Sequence, residues 1–263
     1  MPPRFQASEV QPPRAWLRGA VADHLGRSLR AVPGEIVELT WQGAVHRASI
    51  RAVRRSEIEF ELLASRPAAA PRLRIELAPA VFRFHRWEWL LEKAVELGVE
   101  RVQPILARRT EPHLARAAGT RRERWQRLAQ AAAEQSRRDC LPQVASPLGL
   151  QAYIHSLEPG NEQETRLWLR EPAGDAAATA SAPVQPLGHW LRRQPEITAP
   201  KFAEFAEHDP PWIRILSGPE GGWTAEECAT LEAAGWLAVS LGPTVLRAET
   251  APLAALAAVA IAR

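Results

Sequence analysis

The 263-residue chain is poor in cysteine, and its two cysteines, Cys140 and Cys228, have no histidine or second cysteine at metal-site spacing. Two isolated thiols are typical of a reducing compartment and argue against a disulfide-stapled or zinc-binding protein. Long apolar runs are also missing. The longest, residues 252–262, is mostly alanine and falls well short of the roughly 20 residues of a membrane helix, and the N-terminus lacks a signal-peptide pattern. The sequence therefore predicts a soluble, cytoplasmic protein without a metal or a membrane segment.

Lysine is nearly absent, since only Lys93 and Lys201 accompany the arginines among the 33 basic residues. Arginine forms bidentate phosphate contacts and stacks on bases, which favours nucleic-acid binding. In a chain rich in alanine and proline, however, genome composition is the simpler explanation. The formal charge of +3 is distributed as +5 over residues 1–75, +4 over 76–145 and −6 over 146–263. A basic front half fits either a polyanionic partner or an ordinary solvated surface.

Two apolar patterns divide the chain. Alternating stretches predict strands at 35–41, 44–53, 57–63 and 73–77, with a break at 66–71. From Arg83 onward, helical patterns alternate with buried strands, which is typical of a parallel α/β sheet. We therefore predict a small β-rich domain at residues 1–75 and an α/β domain at residues 76–263.

The elements of the α/β part follow from local signals. Helices are expected at 84–97, from Thr120 to about residue 138, from Thr224 to Gly235, and from Pro252 onward. The first has one apolar face and is ended by Gly98 in the left-handed conformation. Thr120 with Glu123, and Thr224 with Glu227, are predicted capping boxes of the second and third helices. Strands are expected at 99–106, 165–169, 212–216 and 236–241, with irregular connections at 171–183 and 194–211.

The first two predicted helices carry charged residues on their surfaces. Arg86, Glu92, Lys93 and Glu96 occupy the polar side of the first helix, where a solvated face is the ordinary interpretation. Four arginines at 121, 122, 124 and 127 lie at the predicted start of the second helix, the unfavourable end for the helix dipole; RNA phosphates or simple solvation would account for them.

Two glycine- and proline-bearing loops follow buried strands near the C-terminus. The first is Ser-Gly-Pro-Glu-Gly-Gly at 217–222, and the second is Ser-Leu-Gly-Pro-Thr-Val-Leu-Arg-Ala-Glu-Thr-Ala at 240–251. Glycine lets the backbone approach a ligand closely, and open α/β sheets bind ligands beyond the carboxyl ends of their strands. Neither loop is a dinucleotide turn or a phosphate loop. The pattern predicts a ligand held by main-chain contacts to a base and a sugar, with a plain structural turn as the alternative.

These loops, together with Lys93-Ala94-Val95-Glu96-Leu97-Gly98-Val99, Glu134-Gln135-Ser136-Arg137-Arg138 and the stretch His24-Leu25 to Leu29-Arg30, occur in one order over nearly the whole chain. In that order they resemble the RsmE family, ribosomal RNA uridine-N3 methyltransferases of the SPOUT class. The resemblance implies a PUA-like β-barrel followed by a parallel-sheet, SPOUT-like domain with a trefoil knot. It further implies S-adenosylmethionine as cofactor, methylation of uridine N3 in 16S rRNA or the small ribosomal subunit, and a homodimer.

The resemblance also implies three sets of site residues. The cofactor set is Leu169, Ser217, Gly218, Pro219, Glu220, Gly221, Gly222, Leu241, Gly242, Leu246 and Thr250. The catalytic set is Arg247, Glu249 and Arg138, and the RNA-binding set is Arg4, His24, Arg27, Arg30 and Gln135. From the residues alone, Arg247 and Glu249 could equally be an ion pair at a helix entry, and a lone histidine such as His24 is more often structural.

The chain departs from the family pattern at four positions. Thr244 stands where arginine is usual, Ala248 replaces a threonine, Arg83 replaces a lysine, and Arg137 occupies a usual glycine. The loss of a charge at Thr244 keeps open a non-catalytic RNA-binding protein with a degenerate cofactor pocket. A SPOUT-class ribose 2′-O-methyltransferase is the second alternative, since it would share the cofactor loop.

Overall fold

The computed structural model describes residues 2–19, 22–23, 25–26, 31–69, 71, 73–157, 164–171, 184–194 and 210–262. The chain packs into two compact units, Met1–Ala70 with Gln130–Leu141 and Pro71–Ala129 with Pro142–Arg263. The boundary therefore lies at 70/71 instead of the predicted 75/76, because the strand Arg74–Pro79 belongs to the parallel sheet of the second unit. The connections predicted at 171–183 and 194–211 lie mostly outside the described residues.

The first unit is built on a six-stranded sheet. Its strands are Arg4–Gln6 (β1), Glu9–Gln11 (β2), Arg14–Arg18 (β3), Ile36–Trp41 (β4), Ala44–Arg54 (β5) and Glu57–Pro67 (β6), in the order β1-β4-β5-β6-β3-β2. All neighbours are antiparallel except β1 and β4. Strand β6 continues to Pro67, two residues into the predicted break at 66–71, because it pairs with the full length of β5. The alternating positions Leu39, Ile50 and Phe60 form part of the core of this unit.

Asp139 is the centre of an ion-pair cluster within the first unit. Its carboxylate lies 2.5 Å from Arg4 Nη1 and 2.8 Å from Arg66 Nη1, and it accepts a hydrogen bond from the Ala69 amide at 3.0 Å. The hydrogen bond from Arg66, aided by the Ala69 amide and the charge of Arg4, lowers the pKa of Asp139 to about 2. Arg4 also pairs with Glu38 at 2.7 Å.

Asp139→Asn is expected to lower the free energy of unfolding by about 2 kcal/mol at neutral pH. The depressed pKa means that the stabilisation is complete well above the unfolded-state value of 3.8 and is lost as the pH falls through about 2. In urea unfolding, the difference between wild type and variant should therefore shrink to about half between pH 6 and pH 3. Glu61→Gln, at an exposed carboxylate of β6, is the control. A pH-independent difference for Asp139→Asn would contradict the prediction.

The second unit contains the parallel sheet that the alternating pattern predicts. Its strands are Arg74–Pro79 (β7), Arg101–Val102 (β8), Ile105–Leu106 (β9), Gln143–Val144 (β10), Leu148–Gly149 (β11), Glu164–Leu169 (β12), Gln185–Pro186 (β13), Trp212–Ser217 (β14) and Leu237–Ser240 (β15). The seven-stranded sheet runs β10-β8-β7-β14-β12-β15-β13 with every neighbour parallel. Strands β9 and β11 pair separately, so the predicted strand 99–106 is two short strands. The α/β prediction is confirmed for this unit.

The main helices are Phe84–Glu96 (α1), Pro112–Gln135 (α2), Leu150–His155 (α3), Leu187–Arg192 (α4), Ala225–Ala233 (α5) and Thr250–Ala262 (α6). Helix α1 buries the predicted apolar face and is followed by Gly98 at φ 97°. Thr224 and Glu227 form the predicted capping box of α5. None of the helices in the described part of the chain combines the length and apolar character that a membrane crossing requires.

The prediction for the start of α2 is wrong. The helix begins at Pro112, so Thr120 lies inside it and donates its hydroxyl to the carbonyl of Ala117. The four arginines of 121–127 are therefore interior to the helix, and the dipole argument for an RNA contact no longer holds. Two of them pair with Glu88, Arg121 at 3.3 Å and Arg124 at 2.8 Å, which gives them a structural role.

Candidate functional site

A cavity of about 610 Å³ lies at the carboxyl ends of β12, β14 and β15. Strand β12 pairs in parallel with both of the others, so the three carboxyl ends lie side by side. The last residues of β12 and β14 and the segments after all three strands line the cavity, as 168–171, 217–223 and 241–248 with one gap at Pro243. This is the edge where open α/β sheets bind ligands, and the volume is within the range of small-molecule sites.

Ten of the eleven predicted cofactor residues line this cavity. They are Leu169, Ser217, Gly218, Pro219, Glu220, Gly221, Gly222, Leu241, Gly242 and Leu246. The exception is Thr250, which begins α6 with an exposed side chain and is not part of the lining. The two loops therefore form walls of one cavity, as their glycine content predicts.

The first loop is packed against two side chains so closely that a Cβ would require them to shift. A Cβ on Gly218 would lie 3.1 Å from Trp223 Nε1, and one on Gly221 would lie 3.3 Å from Arg109 Cδ. Both side chains also hold the backbone, because Trp223 Nε1 donates to the carbonyl of Leu169 at 3.3 Å and Arg109 Nη1 donates to that of Gly221 at 2.6 Å. The loop is thus fixed by close contacts that favour glycine at these positions.

The lining fits a nucleoside that is recognised mainly by main-chain groups. Leu241, Val245 and Leu246 provide apolar surface, and the glycines of the lining have no side chain to keep a ligand away from the backbone. The Ser217 hydroxyl is buried and has no hydrogen-bond partner among the described residues, so it is available to a ligand. A nucleoside suits this combination, because its flat base can contact the apolar side chains while its polar groups meet the peptide groups and the Ser217 hydroxyl.

Charged residues form the rest of the lining. Arg247 is exposed at the cavity, and its side chain makes no ion pair within the part of the chain that the structure describes. Glu249 does not line the cavity. It is only 7% exposed, and its Oε1 lies 3.6 Å from Nη1 of Arg86, which does line it. Arg86 therefore belongs to the site and not to the solvated face that its helical position predicts.

Comparison with known proteins identifies the family. The RNA methyltransferase domain family matches residues 69–260. The ribosomal RNA small subunit methyltransferase E of Synechocystis is 32% identical over 242 residues, 92% of this chain and 71% of that protein. The chain belongs to the RsmE family.

Two solved structures resemble the whole chain. The RsmE enzyme of Neisseria gonorrhoeae, solved with bound S-adenosyl methionine, is 29% identical with a TM-score of 0.76, covering 98% of this chain and 96% of that one. A Legionella pneumophila methyltransferase, solved with the same cofactor, is 25% identical at a TM-score of 0.76 over 98% and 97%.

The remaining predicted residues of this RsmE-family chain belong to the first unit or lie outside the described residues. Arg138 lines a small groove of the first unit with Arg4, Cys140 and Leu141, and Gln135 is the last residue of α2. The side chain of Arg4 is 8% exposed and is occupied by Glu38 and Asp139, so the RNA contact predicted for Arg4 is replaced by a structural role. His24, Arg27 and Arg30 fall outside the described residues.

Sequence reasoning missed three side chains of the site. Trp223 directly follows the first loop, and the sequence pattern assigns neither it nor Arg86 nor Arg109 to the site. Arg109 contacts a loop that lies 112 positions away along the chain. Only a tertiary contact reveals its role, whereas the position of Trp223 directly after the glycine loop was a usable signal.

Glu227 joins this loop to the segment that carries Arg109. Its buried carboxylate accepts hydrogen bonds from the amides of Thr224 at 2.9 Å and Arg108 at 2.8 Å. We expect Glu227→Ala to lower the free energy of unfolding by about 2–3 kcal/mol, because the variant loses the helix cap and leaves the Arg108 amide without its acceptor. Urea unfolding measures this. Glu226→Ala changes the exposed neighbour in the same turn and should cost less than about 0.5 kcal/mol; equal losses would refute the assignment.

Proposed function

We propose that this chain uses S-adenosylmethionine to methylate N3 of a uridine in 16S rRNA. The observation that carries the proposal is the cavity formed by the two glycine loops at the ends of β14 and β15, in a chain of the RsmE family. The cofactor-bound relatives support S-adenosylmethionine as its ligand. Leu241, Leu246 and the main chain of the first loop are proposed to hold it.

When bound, the cofactor would supply an electrophilic methyl group on its sulfonium, and in-line transfer of that methyl group to the uridine N3 would break the C–S bond and leave the cofactor as its neutral thioether. The N3–H is a weak acid, so the protein has to align the ring and stabilise the negative charge that develops on it. Arg247 is the proposed contact to the ring, because it reaches the cavity from an exposed position. Glu249 is buried next to Arg86, which supports a role in orienting the residues of the site. The N3 proton is proposed to be released to water.

The RNA contacts remain proposals from the family resemblance. Gln135, Arg138, His24, Arg27 and Arg30 are assigned to the RNA side, and Arg138 is retained as a contributor to catalysis. N3 is hidden in a duplex, so the target uridine must be presented unpaired. Arginine–phosphate contacts predict an affinity that falls steeply with salt, and an affinity unaffected by salt would count against these contacts.

The finer architecture and the assembly are proposed on the same basis. The first unit is taken as a PUA-like barrel and the second as a SPOUT-like domain with a trefoil knot. A homodimer is supported by α6, which is apolar on all sides and leaves Ile261 86% exposed, because such helices are normally buried. The proposed location is the cytoplasm, where the small ribosomal subunit is found.

The decisive experiment is nucleoside mass spectrometry of 16S rRNA from a deletion strain complemented with this chain. The proposal expects 3-methyluridine to disappear on deletion, to return with the wild-type chain, and to be strongly reduced with Arg247→Ala. A missing 2′-O-methyl group would favour the ribose methyltransferase. An unchanged nucleoside profile, together with no calorimetric heat from S-adenosylmethionine, would favour the non-catalytic RNA-binding protein. Full turnover by Arg247→Ala would remove only the role given to that residue.

A further inference from the structure

Arg86 lies between the carboxylate of Glu220, which lines the cavity, and that of Glu249, which directly follows the second lining loop. It belongs to the first turn of α1, and its Nη1 lies 3.7 Å from Oε1 of Glu220 and 3.6 Å from Oε1 of Glu249. Glu220 is part of the loop after β14. Glu249 follows the loop after β15 and directly precedes α6. One guanidinium nitrogen therefore connects three elements that are distant in sequence.

The two carboxylates would repel each other without this arginine. Both distances are measured from the same nitrogen, so the two Oε1 atoms lie within about 7 Å of each other, where like charges interact appreciably. Glu249 is 7% exposed, so solvent screens its charge weakly. Among the described residues no other basic side chain lies within 4.0 Å of either carboxylate.

The contacts are electrostatic and not directional. At 3.6 and 3.7 Å the nitrogen–oxygen distances exceed those of hydrogen bonds. The second oxygen of Glu249, Oε2, is buried and has no hydrogen-bond partner in the described part of the chain. The charge of Glu249 is thus balanced mainly by Arg86, and a lysine at position 86 should provide much of the same balance.

We propose that Arg86 is a positioning residue that holds the Glu220 loop and the Glu249 segment together and so sets the shape of the cofactor cavity. This inference rests on the proposed function, since it names how the same cavity is kept ready for S-adenosylmethionine. Arg86 lines the cavity, but its role acts through the two loops. Loss of the cation lets the two carboxylates push the loops apart, and the main-chain groups that bind the cofactor then lose their spacing.

The test is a charge-balance series with cofactor affinity measured by calorimetry. Arg86→Gln is expected to raise the Kd for S-adenosylmethionine about tenfold, whereas Arg86→Lys should stay within about threefold of wild type. Removing one carboxylate as well, in Arg86→Gln with Glu249→Gln, should recover most of the lost affinity, because Glu249 does not line the cavity and the remaining carboxylate then has no like charge to repel it. Arg83→Gln is the matched control, since it removes the same charge from an exposed residue that directly precedes α1, and it should leave the Kd unchanged.

The outcomes separate this inference from the function on which it rests. If the wild-type chain gives no heat with S-adenosylmethionine, the proposed function fails. If wild type binds and Arg86→Gln binds equally well, or if the double variant and Arg86→Lys are as impaired as Arg86→Gln, the positioning role is overturned. Thermal unfolding of each variant identifies any that do not fold, and Arg86→Lys together with the double variant then decides the question.

Discussion

Replacing Glu76 by alanine is expected to lower the free energy of unfolding by about 3–5 kcal/mol, a large part of the 5–15 kcal/mol typical of a folded protein. Glu76 is fully buried in β7 and lies opposite Arg214 of β14. It accepts hydrogen bonds from Arg214 Nη1 at 2.5 Å and from the Tyr153 hydroxyl, and Arg101 Nε lies 3.3 Å away. Burial, with the adjacent Glu76 carboxylate, raises the pKa of Tyr153 well above its usual value, so Tyr153 remains a neutral donor.

The size of the loss follows from the groups that Glu76→Ala leaves behind. Arg214 keeps Glu164 as a partner but loses its buried carboxylate on β7, and the Tyr153 hydroxyl loses its acceptor in the core. Urea unfolding should show Tyr153→Phe costing only about 1 kcal/mol, because it removes one donor and no charge. Glu123→Ala, at an exposed site on α2, should be close to neutral. A loss below about 1 kcal/mol for Glu76→Ala would show that the cluster does not stabilise the sheet.

The parts of the fold that the sequence predicts are those with local causes. The longer strands β4 to β7, β12, β14 and β15 follow from alternating or continuous apolar residues. The short strands β1, β2, β3, β10, β11 and β13 were not predicted. The capping box at Thr224 and the left-handed Gly98 depend on neighbours within a few positions. The same local rule failed at Thr120, because Thr-x-x-Glu also occurs inside helices and Pro112 was the true start signal. Strand β6 was predicted too short because its length is set by pairing with β5.

The candidate site divides in the same way. The main-chain walls of the cavity could be predicted, since glycines at 218, 221, 222 and 242 indicate backbone that approaches a ligand closely. Arg86 could not, because the pattern along α1 distinguishes only a polar side from an apolar one. Whether a polar residue such as Arg86 meets solvent or Glu249 depends on a segment more than 160 positions later in the chain. Long-range pairing of this kind has no local signature.

Gly242→Ala is expected to raise the Kd for S-adenosylmethionine roughly ten- to hundredfold, which corresponds to about 1–3 kcal/mol of backbone strain. Gly242 lines the cavity at φ 125°, a conformation that residues with a Cβ avoid. A Cβ at this position would meet no atom within 4 Å, so crowding is not the cause. To relieve the strain, the peptide groups of the second loop have to rotate, and they are the groups proposed to hold the cofactor.

Two matched substitutions distinguish strain from crowding and from the loss of glycine itself. Gly221→Ala has an ordinary φ but brings its Cβ 3.3 Å from Arg109 Cδ; that flexible side chain can move, so we expect a loss of less than about fivefold in affinity. Gly119→Ala lies in α2 with open space around its Cβ and should leave affinity unchanged while stabilising the helix by about 0.5–1 kcal/mol. Calorimetry is expected to show the largest loss of cofactor affinity for Gly242→Ala, a smaller loss for Gly221→Ala and none for Gly119→Ala. If Gly242→Ala bound as tightly as Gly119→Ala, the conformation of the second loop would not be what confers affinity, and the side chains of the cavity would have to account for binding.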